Sequence, residues 1–198
     1  LRYPVCPALI LPAPPILPGW DFIGRQLRRP SGFAGRLVGS AMGIVNRSPN
    51  RLAIAALDIK PSDTVLELGF GPGMAIELLA AAASSGNIYG VDASPLMLAR
   101  ARRRNIRLIR SGRVALTEGS FERLPFPDDS IDKVLAVNVA YFWSDASPAL
   151  TEARRVLRPG GVISIYATDA AAMRRWKFAR PETHRTFDRQ ALSDLIET

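Results

Sequence analysis

The chain is poor in the residues that bind metals and close disulfides: it holds one cysteine, Cys6, and one histidine, His184. A single thiol excludes an internal disulfide framework. Cys6 and His184 are also too few for a zinc site of Cys and His ligands, and multi-cysteine chemistry such as an iron–sulfur radical centre falls with them. No metal site is expected. Long apolar runs are missing too, since no stretch approaches the ~20 residues of a membrane-spanning helix. Pro4, Pro7, Pro12, Pro14, Pro15 and Pro18 break up the apolar start, where a secretory signal needs an unbroken helical core. A cytoplasmic chain is the expectation. Acidic side chains are the minority, 18 against 26 basic, for a net charge of +8.

What is present fits one core. At 198 residues with 47% apolar side chains, the chain can bury a full domain interior. Residues 1–30 read as a proline-rich flexible arm. Residues 31–60 read as two helices broken near Ser48 and Pro49, with Phe33, Leu37, Met42, Ile44 and Val45 in the first and Ala53, Ile54 and Leu57 in the second. Residues 61–198 alternate strand and helix, the pattern of a doubly wound α/β sheet with helices on both faces. Strands are expected at Val65–Leu68, Asn87–Asp92, Arg113–Glu118, Asp132–Asn138 and Gly161–Thr168. Helices are expected at Met74–Ala83, from Pro95 behind the cap Ser94 to Arg104, at Ala146–Leu157, and at Arg189–Glu197 behind the cap Asp188.

The first strand runs into Glu67-Leu68-Gly69-Phe70-Gly71-Pro72-Gly73, and the second ends in Asp92. Glycines there let backbone N–H groups approach a ligand, and a carboxylate at a strand's carboxyl end can accept both hydroxyls of a ribose. A dinucleotide fingerprint, G-x-G-x-x-G, would need glycine where Met74 stands. The pattern is instead E-x-G-x-G-x-G.

That pattern resembles motif I of the class I S-adenosylmethionine-dependent methyltransferases. The resemblance continues through Gly119 to Asp132, then Asn138 to Trp143, then Arg155 to Gly161, in the family's order and spacing, and covers about residues 52–168. It is nearest to the small-molecule branch that includes ubiquinone and menaquinone C-methyltransferases. It implies a Rossmann-like sheet, S-adenosyl-L-methionine as cofactor, and transfer of its methyl group to a small acceptor. The family sheet closes with a hairpin of strands six and seven, for which this chain has no residues. The implied cofactor residues are Glu67, Gly69, Gly71, Gly73, Asp92, Ala93, Met97, Ser120, Phe121 and Asn138. Ala93 and Met97 would flank the adenine, Glu67 would orient the turn and the cofactor's ammonium group, and Asp92 would take the ribose. Ser120 stands where the branch usually has Asp, so Ser120 or a backbone group would hold the adenine amino group.

Tyr141 and Trp143 are the candidates for stacking on a flat acceptor, and equally for packing at the sheet's edge. Asn138 to Trp143 echoes the N-P-P-Y of amine-methylating nucleic-acid enzymes without its prolines, so nucleic acid is not the expected partner. A nicotinamide oxidoreductase and a non-catalytic cofactor-binding scaffold are the other readings. No residue is assigned as catalytic base; His184 is a candidate and equally a polar loop residue. Arg100, Arg102, Arg103, Arg104, Arg107, Arg110 and Arg113 form a basic run that reads as a solvated face, whereas Arg174, Arg175 and Lys177 around Trp176 pair charge with an aromatic ring and suit peripheral membrane contact or an anionic substrate.

Overall fold

The computed structural model describes residues 20–28, 30–143, 146–176, 178–179 and 184–197. Cys6, the prolines of the arm and Lys177 lie outside them. The elements follow in order: α1 (Trp20–Arg28), α2 (Gly32–Val45), α3 (Arg47–Ala55), β1 (Val65–Leu68), α4 (Met74–Ala82), β2 (Ile88–Asp92), α5 (Pro95–Arg104), α6 (Ile106–Arg110), β3 (Val114–Glu118), β4 (Ile131–Val137), α7 (Ser147–Val156), β5 (Leu157–Tyr166), α8 (Ala170–Met173) and α9 (Arg189–Glu197). The strands form one sheet in the order β3-β2-β1-β4-β5, every pairing parallel. This is the doubly wound, Rossmann-like arrangement expected from the sequence, and β5 stands at the edge of the five-stranded sheet.

Burial on both faces explains the uninterrupted apolar strands. All four residues of β1 are buried, as are the last four of β4. Val65 and Leu135 pack with Leu57, just beyond α3, and with Ile76 and Leu79 of α4 in one half of the core. Leu66, Val134 and Ala136 face the other way, onto Leu150 and Ala153 of α7 and Leu192 and Ile196 of α9. Chain order reverses between β1 and β4, and at such a switch point loops splay apart and leave a crevice beyond the strand ends.

Three boundaries differ from the sequence expectation. Trp20–Arg28 is helical, inside the stretch expected to be a flexible arm up to residue 30. Leu157, expected to end a helix, and Arg158, Pro159 and Gly160, expected as a loop, belong to β5; a bulge absorbs them, with Ile131 opposite Leu157 but Lys133 already opposite Val162. Two arginines of the basic run, Arg107 and Arg110, fall in a separate short helix, α6, after Asn105 closes α5.

Two arginines of that run serve the fold. Arg102 donates to the Leu116 carbonyl at 2.9 Å. Arg113 donates to the carbonyls of Ala80 and Ala83 at the end of α4, satisfying groups a helix terminus leaves unpaired. Trp176 is half-buried and stacks on Phe178, ring centroids 5.4 Å apart.

Candidate functional site

The glycine turn opens the crevice. Gly69, Gly71 and Gly73 all have positive φ, at 71°, 51° and 75°, a region costly for side-chain-bearing residues. Their surroundings differ. A Cβ on Gly73 would stand 2.7 Å from both Ala101 Cβ and Asn105 Nδ2, so this glycine lets α5 pack against the start of α4. Asn105 holds the contact by donating to the Gly73 carbonyl at 3.0 Å. Around Gly71 no atom comes within 4 Å of where a Cβ would be. Gly71 thus leaves open space, and Gly73 belongs to the packing.

Asp92 locks this turn. Its Oδ2 accepts from the Gly71 N–H and its Oδ1 from the Ser94 N–H, both at 2.8 Å. Burial raises its carboxyl pKa, and the two backbone donors act against that rise. Each oxygen keeps a further lone pair for a ligand hydroxyl. Glu67, one strand over, is buried with no such support: its Oε2 has no hydrogen-bond partner. Burial first, then the charge of Asp92, pushes its pKa up to about 8, so the side chain is neutral at pH 7 and becomes a carboxylate beside a cation.

A cavity of about 820 Å³ lies over the turn. Its wall includes every expected cofactor residue except Gly73. Met97 is buried beneath it, Ala93 is exposed at its rim, and Phe121 packs edge-on against Trp143 with centroids 6.4 Å apart. Ser120 is exposed, and its hydroxyl accepts from the Glu122 N–H at 3.2 Å.

The loop after β4 is organised differently from the expectation. Trp143 lines the cavity, but Tyr141 does not. Tyr141 turns inward, where its hydroxyl donates to Asn138 Oδ1 at 2.7 Å and accepts from the Thr168 N–H; burial raises its pKa. The single helical turn Ala140–Phe142 causes this, because it sends successive side chains in different directions where an extended strand end would alternate them. Phe142, unassigned from sequence, takes the place on the wall. His184 is buried among Phe142, Tyr141 and Phe178, off the cavity wall, and burial together with the Arg28 charge lowers its pKa to about 4.

Asn138 has φ +54° and a side chain committed to the protein. Its amide donates to Asn46 Oδ1 at 2.8 Å, while its oxygen accepts from Tyr141 and, at 3.4 Å, from Thr168 Oγ1. Asn46 sits between α2 and α3, so this bond ties the N-terminal helices to the end of β4. Those helices contribute Gln26, Met42, Asn46 and Asn50 to the wall. The sequence reading placed helices around Met42, Asn46 and Asn50 but an arm at Gln26, and no local signal marked these four, since their meeting with the sheet is a tertiary event.

Among the described residues no group of three or more His, Cys, Asp or Glu side chains is arranged to hold a metal ion, and no helix is long and apolar enough to cross a membrane. Comparison with known proteins places the pattern. Residues 66–165 match the family described as "Methyltransferase domain". The uncharacterized methyltransferase YdaC of Bacillus subtilis (strain 168) is 32% identical over 159 residues, which is 80% of this chain and 83% of that protein. The ubiquinone/menaquinone biosynthesis C-methyltransferase UbiE of Geotalea daltonii is 30% identical over 76% of this chain and 58% of its own length. A solved SAM dependent methyltransferase from Aquifex aeolicus superposes with a TM-score of 0.61 over 75% of this chain and 77% of its own, at 19% identity, a likeness of fold.

Proposed function

The chain belongs to the methyltransferase domain family, and from that premise we propose that it binds S-adenosyl-L-methionine over the glycine turn and passes the methyl group to a small, lipophilic or anionic acceptor. The observation that carries the reading is the pair of buried carboxyl groups, Glu67 and Asp92, around an open glycine. Asp92 has lone pairs left for ribose hydroxyls, Gly71 leaves its cradle clear, and Glu67 Oε2 lacks the partner that a ligand ammonium group would supply. A buried carboxyl with no partner is costly alone and well matched to a cation.

When bound, the cofactor supplies a methyl carbon already made electrophilic by its sulfonium. The protein's share is then alignment and exclusion of water, and orientation alone contributes ~7 to 11 kcal/mol. Phe22, Met42, Val139, Phe142 and Trp143 give the cavity apolar walls, and Arg28 adds one positive charge. Those walls suit a lipophilic acceptor, and of the charged side chains on them only Arg28 is basic, against Glu67, Asp92, Glu118 and Glu122. His184 and Tyr141 lie off the wall, so the reading assigns neither as general base.

The other readings fit less well. A Cβ on Gly43 would stand 3.2 Å from Cγ of Met74, so the residue in the third fingerprint position is packed against α2, where a dinucleotide site needs a bare backbone. An amine-methylating site would need a free Asn138 oxygen, and here Tyr141 and Thr168 occupy it. Incubation with methyl-labelled S-adenosyl-L-methionine and fractionated cell extract tests the proposal. Label should appear in a small, organic-soluble product; a protein that binds the cofactor yet labels no fraction would be a scaffold, contrary to this reading.

A further inference from the structure

Helix α2 is built the wrong way round for a helix facing water. At about 100° per residue, Gly35 and Gly43 fall on one side and Phe33, Leu37 and Val45 on the opposite side. The glycine side faces the protein. A Cβ on Gly35 would meet the Pro30 carbonyl carbon at 2.8 Å and Leu96 Cδ2 at 3.0 Å, and one on Gly43 would meet Met74. Contact that close fixes the rotation of the helix, so the apolar side points outward: Phe33 is 75% exposed, Leu37 60% and Val45 47%. Phe22 of α1 is exposed as well. Elsewhere among the described residues the exposed large apolar side chains are only Leu78 and Ile106, so the apolar surface is concentrated on this hairpin. An ordinary surface helix carries polar residues there.

The charge of the same segment points to what covers it. Residues 20–57 contain six arginines and one acid, Asp21. Arg28 and Arg47 are exposed. We propose that the outer face of α2, with Phe22 of α1, docks on an anionic phospholipid bilayer, the aromatic and aliphatic side chains entering the interface and the arginines meeting the headgroups. A second copy suits this face less, because it would oppose one cationic surface to another. Phe22 and Arg28 also belong to the cavity wall, so the docked face adjoins the site. Entry of a lipophilic acceptor from the bilayer rests on the methyl-transfer reading; docking itself does not.

The test uses the full chain and sedimentation with vesicles of phosphatidylcholine alone or of equimolar phosphatidylcholine and phosphatidylglycerol. Binding is expected on the anionic vesicles, with release as salt shortens the Debye length from ~10 Å at 0.1 M to ~3 Å at 1 M. Phe33→Ser with Leu37→Ser should weaken it by about tenfold or more, and Arg47→Glu by about fivefold or more. Phe33, Leu37 and Arg47 are absent from the cavity wall, so affinity for S-adenosylhomocysteine should hold in each variant. No binding to anionic vesicles, equal binding to neutral ones, or unchanged binding by the double serine variant would overturn the proposal. A wild-type dimer that dissociates on those serine substitutions would overturn it too, by making the face a self-interface. Vesicle binding without any affinity for S-adenosylhomocysteine would sink the cofactor reading and leave the docking intact.

Discussion

Glu67 and Asp92 lie on adjacent strands, both buried, and differ in what they touch. Asp92 takes two backbone N–H groups and holds the turn; Glu67 Oε2 takes none. Hydrogen bonds to a charged group contribute roughly 1.5 to 3 kcal/mol each, so Asp92→Ala should cost about 3 kcal/mol or more in urea unfolding and weaken S-adenosylhomocysteine binding at least ~10-fold. Unchanged stability would mean that the turn is held elsewhere. Glu67 gives a pH signature. Its folded pKa of about 8 lies above the ordinary 4.5, so between those values the unfolded chain has lost the proton and the folded one has kept it. Stability from this group is therefore fully present below pH ~4.5 and falls as pH rises towards 8, by at most about 5 kcal/mol. In Glu67→Gln that decline should vanish from the pH dependence of unfolding. A bound ammonium group favours the carboxylate, so cofactor binding near pH 7 should release a proton, visible as a dependence of calorimetric enthalpy on buffer ionisation heat and lost in the same variant.

At the scale of elements, the strands and the turn were legible because β1, β2 and β4 are short, largely apolar runs, and because Gly69 follows β1 and Asp92 ends β2. Helix α1 was not: the prolines before Trp20 gave the whole stretch the look of an arm, though Trp20–Arg28 itself contains none. The direction of Tyr141 was hidden as well, since a single tight turn rotates it inward and brings Phe142 to the wall. Arg155 shows a role that sequence placed only as part of a motif. It binds Glu152 through two bonds at 2.7 and 2.8 Å, Asp128 at 2.6 Å, and the carbonyls of Leu124 and Phe126. One side chain on α7 thereby clamps the loop that carries Ser120 and Phe121. Arg155→Met should destabilise the fold by about 3 kcal/mol and weaken cofactor binding without altering a cavity residue. Hydrogen exchange over residues 119–130 should rise; protection equal to wild type would show that the loop does not depend on this clamp.

For the whole molecule, net charge was legible but its use was not. Arg102 and Arg113, read as part of a solvated patch, spend their guanidinium groups on backbone carbonyls, while the basic N-terminal segment, read as the end of an arm and two helices, combines charge with exposed apolar surface. The meeting of that segment with the sheet, through Asn46 and Asn138, has no sequence signal because the two asparagines lie 92 residues apart. The same meeting closes a cavity in which Glu67, Gly71 and Asp92 converge. What this cavity binds is the central claim, and isothermal titration of the full chain with S-adenosylhomocysteine, and separately with NAD, tests it most directly. Saturable binding of S-adenosylhomocysteine, weakened by Asp92→Ala, with no saturable heat from NAD, is the predicted result. Saturable NAD binding with no response to S-adenosylhomocysteine or S-adenosyl-L-methionine would contradict it.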